Sequence, residues 1–493
     1  MTNFNPFLYE VNTRVWLKRF NQENKKAKLE DIPNEYWDNL LDKKFDFVWL
    51  MGIWTICEST IEKYCFEPGL VKSYDRALKG WKKEDIIGSP FAVDVYKINP
   101  DIGDLNSLLE LKSFLNNKGL KLILDFVPNH FSADSRIVKS NPGIFLSVDQ
   151  VLFESDRHTF YKPFEMEDKY YAHGRDPFFP AWQDTIQVNF FSNEARQYLT
   201  GILLELINIC DGVRCDMAML ALNNVFKNTW GGVLARYGFE KPQTEFWKEI
   251  IEQVRNVRND FIFIGESYWD LESELHQLGF NYTYDKSYTD KLKSDTAREI
   301  HDHLLAENEF QKKSVRFLEN HDEERAVTAF GKEKSKAAAA GINTVPGMRL
   351  IYDGQFEGKK IKLPVQLGRE PEEPIINSIK DFYQKLFSIT SEDIFKRGEW
   401  TLLEPISSWK GNDTFLNMLA WQWDYKEEKR LVVINYSAVV SCCRLKLEVK
   451  DYPEEFEIID LLNDKPYIRS SDEVYHTGLY IELKPYQAHI FAY

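Results

Sequence analysis

Short apolar runs recur along the chain at Tyr9 to Leu17, Phe45 to Ile53, Leu120 to Pro128, Gly212 to Ala218, Phe261 to Ser267, Tyr282 to Lys286, Ser314 to Asn320 and Met348 to Gly354. Each has the length of a buried strand, and amphipathic stretches lie between them. Leu105 to Asn117 places leucines at helical spacing, and Glu194 to Cys210 repeats Leu and Ile every three or four residues. Strands alternating with helices predict a parallel sheet wrapped by crossovers, and eight such runs match a closed (β/α)8 TIM barrel of the α/β class. One connection departs from the rhythm. His130 to Asp184 is long, rich in Phe, Tyr, Asp and Pro, and has no helix of the expected register, which predicts an insert after the third strand. Lys334 to Ala340 reads as a short alanine-rich helix.

Past about Phe395 the pattern turns to alternating strands at Arg430 to Tyr436, Cys443 to Val449, Phe456 to Leu461 and Leu479 to Leu483. An antiparallel β-sandwich is expected there. The predicted division is barrel over 1–130, insert over 131–185, barrel again over 186–394 and C-terminal β domain over 395–493.

Composition narrows the partners. The 34 Phe, 24 Tyr and 13 Trp among 493 residues suffice for a large core with rings left for surfaces. Charge is 62 basic against 77 acidic residues, a net of −15, which opposes nucleic-acid backbones and anionic membranes and is indifferent to a neutral ligand. The longest apolar run, Phe47 to Cys57, is far short of the roughly 20 residues that span a bilayer. Met1 to Phe20 has no apolar core behind a basic start, so a cytoplasmic location is expected. Six cysteines without a CxxC pattern read as buried reduced thiols, not as a disulfide framework or metal site.

Barrel enzymes carry their chemistry at the C-terminal strand ends. The third run ends Asp125, Phe126, Val127, Pro128, Asn129, His130; the fourth reads Gly212, Val213, Arg214, Cys215, Asp216; the fifth ends Gly265, Glu266; the seventh runs Glu319, Asn320, His321, Asp322. An Asp closing one strand is most simply a turn former. Carboxylates on neighbouring strands are what glycoside cleavage uses, one as acid and one as nucleophile. Arg214 shares a strand face with Asp216, because side chains alternate with period two, and a guanidinium there keeps the carboxylate ionised. Glu266 has no cation near it in sequence, which suits the acid.

The ordered set DFVPNH, GVRCD, GESYW and FLENHD closely resembles the α-amylase family of retaining α-glucoside enzymes, over nearly the whole chain. The resemblance implies Asp216 as nucleophile, Glu266 as acid and base, and Asp322 as a third carboxylate gripping sugar hydroxyls. It also implies that Arg214, His130 and His321 line the glucose-binding subsite and that Asp125 braces Arg214. It calls for no cofactor, and the implied partner is a neutral α-glucan or oligosaccharide, without nucleic acid or membrane.

Departures from the family pattern shape further expectations. Met219 and Leu220 replace a common Lys-His pair after the nucleophile, so acceptor-side contacts differ. Phe91, after Pro90, is the nearest ring where a stacking tyrosine is usual. Gln187, Val188, Asn189 stand where an Asp often binds structural calcium, so no metal is assigned. Arg349 sits where Pro is common in the eighth-strand motif. Tyr161, Phe164, Tyr170, Tyr171, Phe178, Phe179 and Trp182 either stack on sugars or form the core of the insert. The favoured activity is hydrolysis by double displacement. A transglycosidase or isomerase shares the three carboxylates and differs in what attacks the intermediate, whereas a non-catalytic sugar-binding relative would usually have lost one of them.

Overall fold

In the computed structural model residues 5–163 and 166–493 are described. Eight strands close a barrel in sequence order: β1 Phe7–Asn12, β2 Phe47–Met51, β3 Lys121–Phe126, β4 Gly212–Cys215, β5 Ile262–Gly265, β6 Tyr282–Tyr284, β7 Ser314–Arg316 and β8 Met348–Tyr352. All residues of β2, β4 and β8 are buried. Such burial explains why these strands read as continuous apolar runs and not as alternations. The first strand lies earlier than the Tyr9 to Leu17 run, because Thr13–Trp16 turns into a helix. That helix is held where Arg14 Nη1 and Nη2 donate to the carbonyls of Ile87 (3.1 Å), Gly88 (2.9 Å) and Val365 (2.9 Å).

The helices follow their sequence signals. Leu105–Asn117 starts at Asp104, whose carboxylate accepts from Ser107 N at 2.9 Å in a reciprocal capping box, and it buries Leu108, Leu111 and Leu115. Asn193–Ile209 starts at Ser192 and buries Leu199, Leu203 and Leu206 at the spacing of one helix face. The alanine-rich segment is helical over Lys332–Thr344.

By compactness the chain falls into two units, each described by itself. The larger is Tyr9–Tyr284 with Lys362–Glu372; the other is Met1–Leu8 with Asp285–Ile361 and Glu373–Tyr493. Within the larger unit the long connection after β3 holds short helices at Ile137–Ser140 and Gln150–Ser155. It also holds a three-stranded sheet of Ser147–Val148, Tyr170–Ala172 and Phe160–Tyr161. His130–Ser132 pairs antiparallel with Thr185–Gln187 and roots this segment beside the end of β3.

Within the other unit a six-stranded antiparallel sheet and the pair Ser441–Leu445 with Leu479–Leu483 enclose a core that includes Leu431, Val433, Cys443, Leu445, Ile458, Ile481 and Leu483. This is the expected sandwich. Alternate burial along Glu455–Asp460 and Leu479–Leu483 gives each strand one inward and one outward face. The sheet seats on the alanine-rich helix through Trp423 Nε1, which donates to Thr344 O at 2.7 Å, and Trp421 Nε1, which donates to Thr344 Oγ1 at 3.2 Å. No helix among the described residues is long and apolar enough to cross a membrane.

Candidate active site

In the larger unit, the parallel register sets Arg214 of β4 opposite Asp125 of β3 and Ile264 of β5. Asp125 spends its oxygens on its own side of the barrel. Its Oδ1 accepts from Trp49 Nε1 at 3.0 Å and its Oδ2 from Gly52 N at 2.7 Å. Gly52 has a φ of +78°, and a Cβ there would come within 2.7 Å of Pro90, so this turn takes only glycine. Asp125 therefore reaches Arg214 by its charge and is fixed by Trp49 and Gly52.

Arg214 is fully buried and sits between two carboxylates. Nη1 donates to Asp216 Oδ1 at 2.5 Å, Nη2 lies 2.7 Å from Glu266 Oε2 as an ion pair, and Nε reaches Tyr284 Oη at 3.4 Å. The rings of Trp49, Phe91 and Tyr284 surround the guanidinium with centroids 5.2, 5.3 and 5.6 Å away. Burial by itself would lower the arginine pKa, yet Glu266, Tyr284, Asp216 and Asp125 outweigh it and hold the pKa well above its ordinary value. Arg214 is permanently charged here. The sequence shows no cation beside Glu266, but the fold supplies one, so the absence of a neighbouring charge is not what distinguishes Glu266 from Asp216.

Glu266 has two further donors that the motif did not announce. Met217 N donates to Oε2 at 2.7 Å, and Tyr268 Oη donates to Oε1 at 2.8 Å. Met217 adopts φ 43° and ψ 48°, a left-handed conformation unusual for a non-glycine residue. Around it the two strand ends interlock: Glu266 N donates to Cys215 O at 3.0 Å and Ala218 N to Glu266 O at 3.0 Å. The strained residue thus turns its N–H onto the carboxylate of the adjacent strand. Nothing in the residue type of Met217 signals this; Tyr268, two residues after Glu266, lay within the quoted motif without a role.

His130, at the end of β3, is 4% exposed. Its Nδ1 lies 3.3 Å from Asn129 Nδ2, and its ring packs against Trp182 at a centroid distance of 5.2 Å. Burial lowers its pKa to about 4, against the opposing effect of a backbone hydrogen bond to Phe91, so the ring is neutral at pH 7.

The other unit carries His321 and Asp322. After β7, His321 Nε2 lies 2.9 Å from Asp322 Oδ2, the His321 side chain being buried and that of Asp322 half exposed. Asn320 Oδ1 accepts from the N–H groups of Asp322 and Glu323, each at 2.9 Å, and closes the turn. Glu319 and Arg325, both buried, brace the same loop: Arg325 Nη1 donates to Glu319 Oε1 at 2.6 Å and to Asp353 O at 2.9 Å, with the guanidinium 4.2 Å from the centroid of Tyr352. Glu319 belongs to the FLENHD motif, but its partner Arg325 lies beyond that motif, and only the fold brings the two together.

The model of the alpha-amylase catalytic domain matches residues 91–393, more than half of the chain. The chain belongs to the alpha-amylase family. It is similar to Alpha-amylase 3 of Dictyoglomus thermophilum, 24% identical over 73% of this chain and 76% of that protein. A cyclomaltodextrinase of Thermoanaerobacter pseudethanolicus is 23% identical over 80% of this chain and 64% of its own. Among solved structures, a maltogenic alpha-amylase of Thermotoga neapolitana superposes with a TM-score of 0.68 at 20% identity, covering 99% of this chain and 98% of that one. As a member of this family the protein is a glycoside hydrolase.

Measured against the alpha-amylase pattern, two local departures and the rings of the insert acquire a structural meaning. Met219 and Leu220 are 0% and 2% exposed, packed into a short helical turn whose Ala218 carbonyl accepts from Trp247 Nε1 at 2.7 Å. Buried in this way, they offer a sugar neither donors nor an apolar face. Of the insert's aromatic residues, Tyr161, Tyr170 and Tyr171 are core, Phe178 and Phe179 are 68% and 65% exposed, and Phe164 lies outside the described residues. Phe178 meets Trp269 edge to face at 4.9 Å. At Gln187 the residues do not fit the calcium ion that the resemblance suggests, because an amide N–H2 points into the oxygens that would hold it.

Proposed function

We propose that this alpha-amylase family member hydrolyses α-glucosidic bonds of α-glucans or maltooligosaccharides by double displacement with retention. Asp216 attacks the anomeric carbon while Glu266 donates a proton to the departing oxygen, giving a glycosyl-enzyme ester and a free acceptor. Glu266 then takes a proton from water, which attacks the same carbon and returns Asp216 as carboxylate. Asp322 grips sugar hydroxyls, and Arg214, His130 and His321 line the glucose subsite. The observation that carries this reading is the bridging of Asp216 and Glu266 by one fully buried, permanently charged guanidinium. The guanidinium holds Asp216 ionised as the nucleophile and offsets the repulsion between Asp216 and the carboxylate that Glu266 becomes once its proton is given up.

Hydrolysis is favoured over transfer because the loop after Asp216 buries the side chains that stand in place of the Lys-His pair, so an incoming sugar gains no donor from them and water competes well. Six unbridged, buried cysteines support a reducing cytoplasm. The test is product analysis on maltooligosaccharides, branched glucan and sucrose, following the anomer first released, with Asp216→Asn and Glu266→Gln alongside. Release of the α-anomer, and loss of turnover by roughly a thousandfold or more in both folded variants, is expected. An inverted product or an active variant overturns the assignment.

A further inference from the structure

Three buried oxygen atoms converge on one nitrogen beside the root of the insert. Gln187, 0% exposed and paired with His130 across the antiparallel strands, directs Nε2 at Asn129 O (2.9 Å), Asn129 Oδ1 (3.0 Å) and Val188 O (3.0 Å). Gln187 Oε1 faces the other way and accepts from Arg175 N at 3.4 Å. Turning the amide over would set an oxygen against three oxygens, so the network itself decides which atom is nitrogen. An amide has two hydrogens for these three acceptors. A cradle of two backbone carbonyls and a side-chain carbonyl is instead the donor chemistry of a hard divalent cation. No cluster of three or more His, Cys, Asp or Glu side chains suited to a metal is found among the described residues.

We infer that the Gln187 amide is a built-in replacement for a divalent cation, tying the end of β3 to the insert so that the fold needs no metal there. The tie extends one step further. Asn129, gripped through both its oxygens, has its Nδ2 3.3 Å from His130 Nδ1, so the same amide sets the side chain next to His130. A glutamine side chain fills the centre of the cradle; an aspartate, shorter by one carbon, would withdraw its head group by roughly 1.5 Å. The space released suits an ion held 2.3–2.6 Å from oxygen ligands.

The experiment compares melting of the full chain in excess EDTA and in millimolar calcium chloride, for the wild type, Gln187→Ala and Gln187→Asp. The wild type should melt at one temperature in both. Gln187→Ala should melt roughly 3 to 8 °C lower in both, with its acceptors left unpaired. Gln187→Asp should melt low in EDTA and recover in calcium. A wild type that loses stability in EDTA and regains it with calcium overturns the inference, and so does a folded Gln187→Asp indifferent to calcium. Should Gln187→Asp not fold, calorimetric titration of the wild type with calcium decides: saturable micromolar binding refutes the inference, and its absence supports it. Neither readout uses turnover, so the outcome is independent of the proposed reaction.

Discussion

Nη2 of Arg214 lies 2.7 Å from Oε2 of Glu266, so the arginine whose position in sequence serves Asp216 serves both carboxylates. One guanidinium with two forked nitrogens can do this and a single ammonium cannot. Arg214→Lys should therefore lower kcat by a hundredfold or more with little change in melting temperature, a magnitude typical of losing a preorganised charge contact. Steady-state kinetics on a maltooligosaccharide checks it, and near-normal kcat in the lysine variant would count against the bridging role.

The loop that carries His321 and Asp322 should depend on the Glu319–Arg325 pair. Both side chains are buried, at 1% and 5% exposure, and removing one partner leaves an uncompensated charge. Arg325→Ala should cost roughly 3 to 5 kcal/mol of stability. Arg325→Ala with Glu319→Gln should recover part of it, which denaturant unfolding of the single and double variants will measure.

Acid should weaken the fold through two histidines. Burial holds His130 and His173 at pKa values of about 4, whereas an exposed histidine titrates near 6.5. Between those values the unfolded chain binds more protons than the folded one, so stability is complete above about pH 6.5 and is lost as pH falls toward 4. Asp184 works in the opposite direction: burial raises its pKa to about 6, so its proton favours the folded state at low pH. Unfolding free energies measured at pH 7 and pH 5 should fall, and the fall should be smaller in His173→Gln. An equal fall in the variant would remove His173 from the account.

Phe178 and Trp269 touch each other while remaining exposed, and neither contributes much to the core. Phe178→Ala should change stability by no more than about 0.5 kcal/mol, as for other surface sites. If the pair meets sugar, KM for longer maltooligosaccharides should rise several-fold while a short chromogenic glucoside is unaffected. An unchanged KM for both would assign the rings to another role.

How much of this is legible in the sequence follows from the range of each physical effect. Burial on both faces writes itself locally, as continuous apolar runs, so the barrel strands and the polar residues closing them stand out. Helix caps such as Asp104 and Ser192 are equally local, as is the strand alternation of the sandwich. The Tyr9 to Leu17 run joins the end of β1 to the helix Thr13–Trp16, which is as buried as the strand before it, and Arg14 within that helix finds three carbonyl acceptors from distant segments.

Tertiary structure alone decided which groups share a charge, a proton or a surface. Arg214 reaches Glu266 only because β4 and β5 are neighbours in register. Met217 offers its N–H to that carboxylate only because the chain takes a left-handed turn that a methionine does not advertise. Met219 and Leu220 read as a change of acceptor-side contacts and are buried; Phe178 reads as either core or platform and is exposed. Gln187 reads as a missing ligand, and only the convergence of three oxygens on its amide shows what stands in its place. Periodicity and motif spacing act along the chain, whereas burial and electrostatics act through space, between residues that the order of the chain does not bring together.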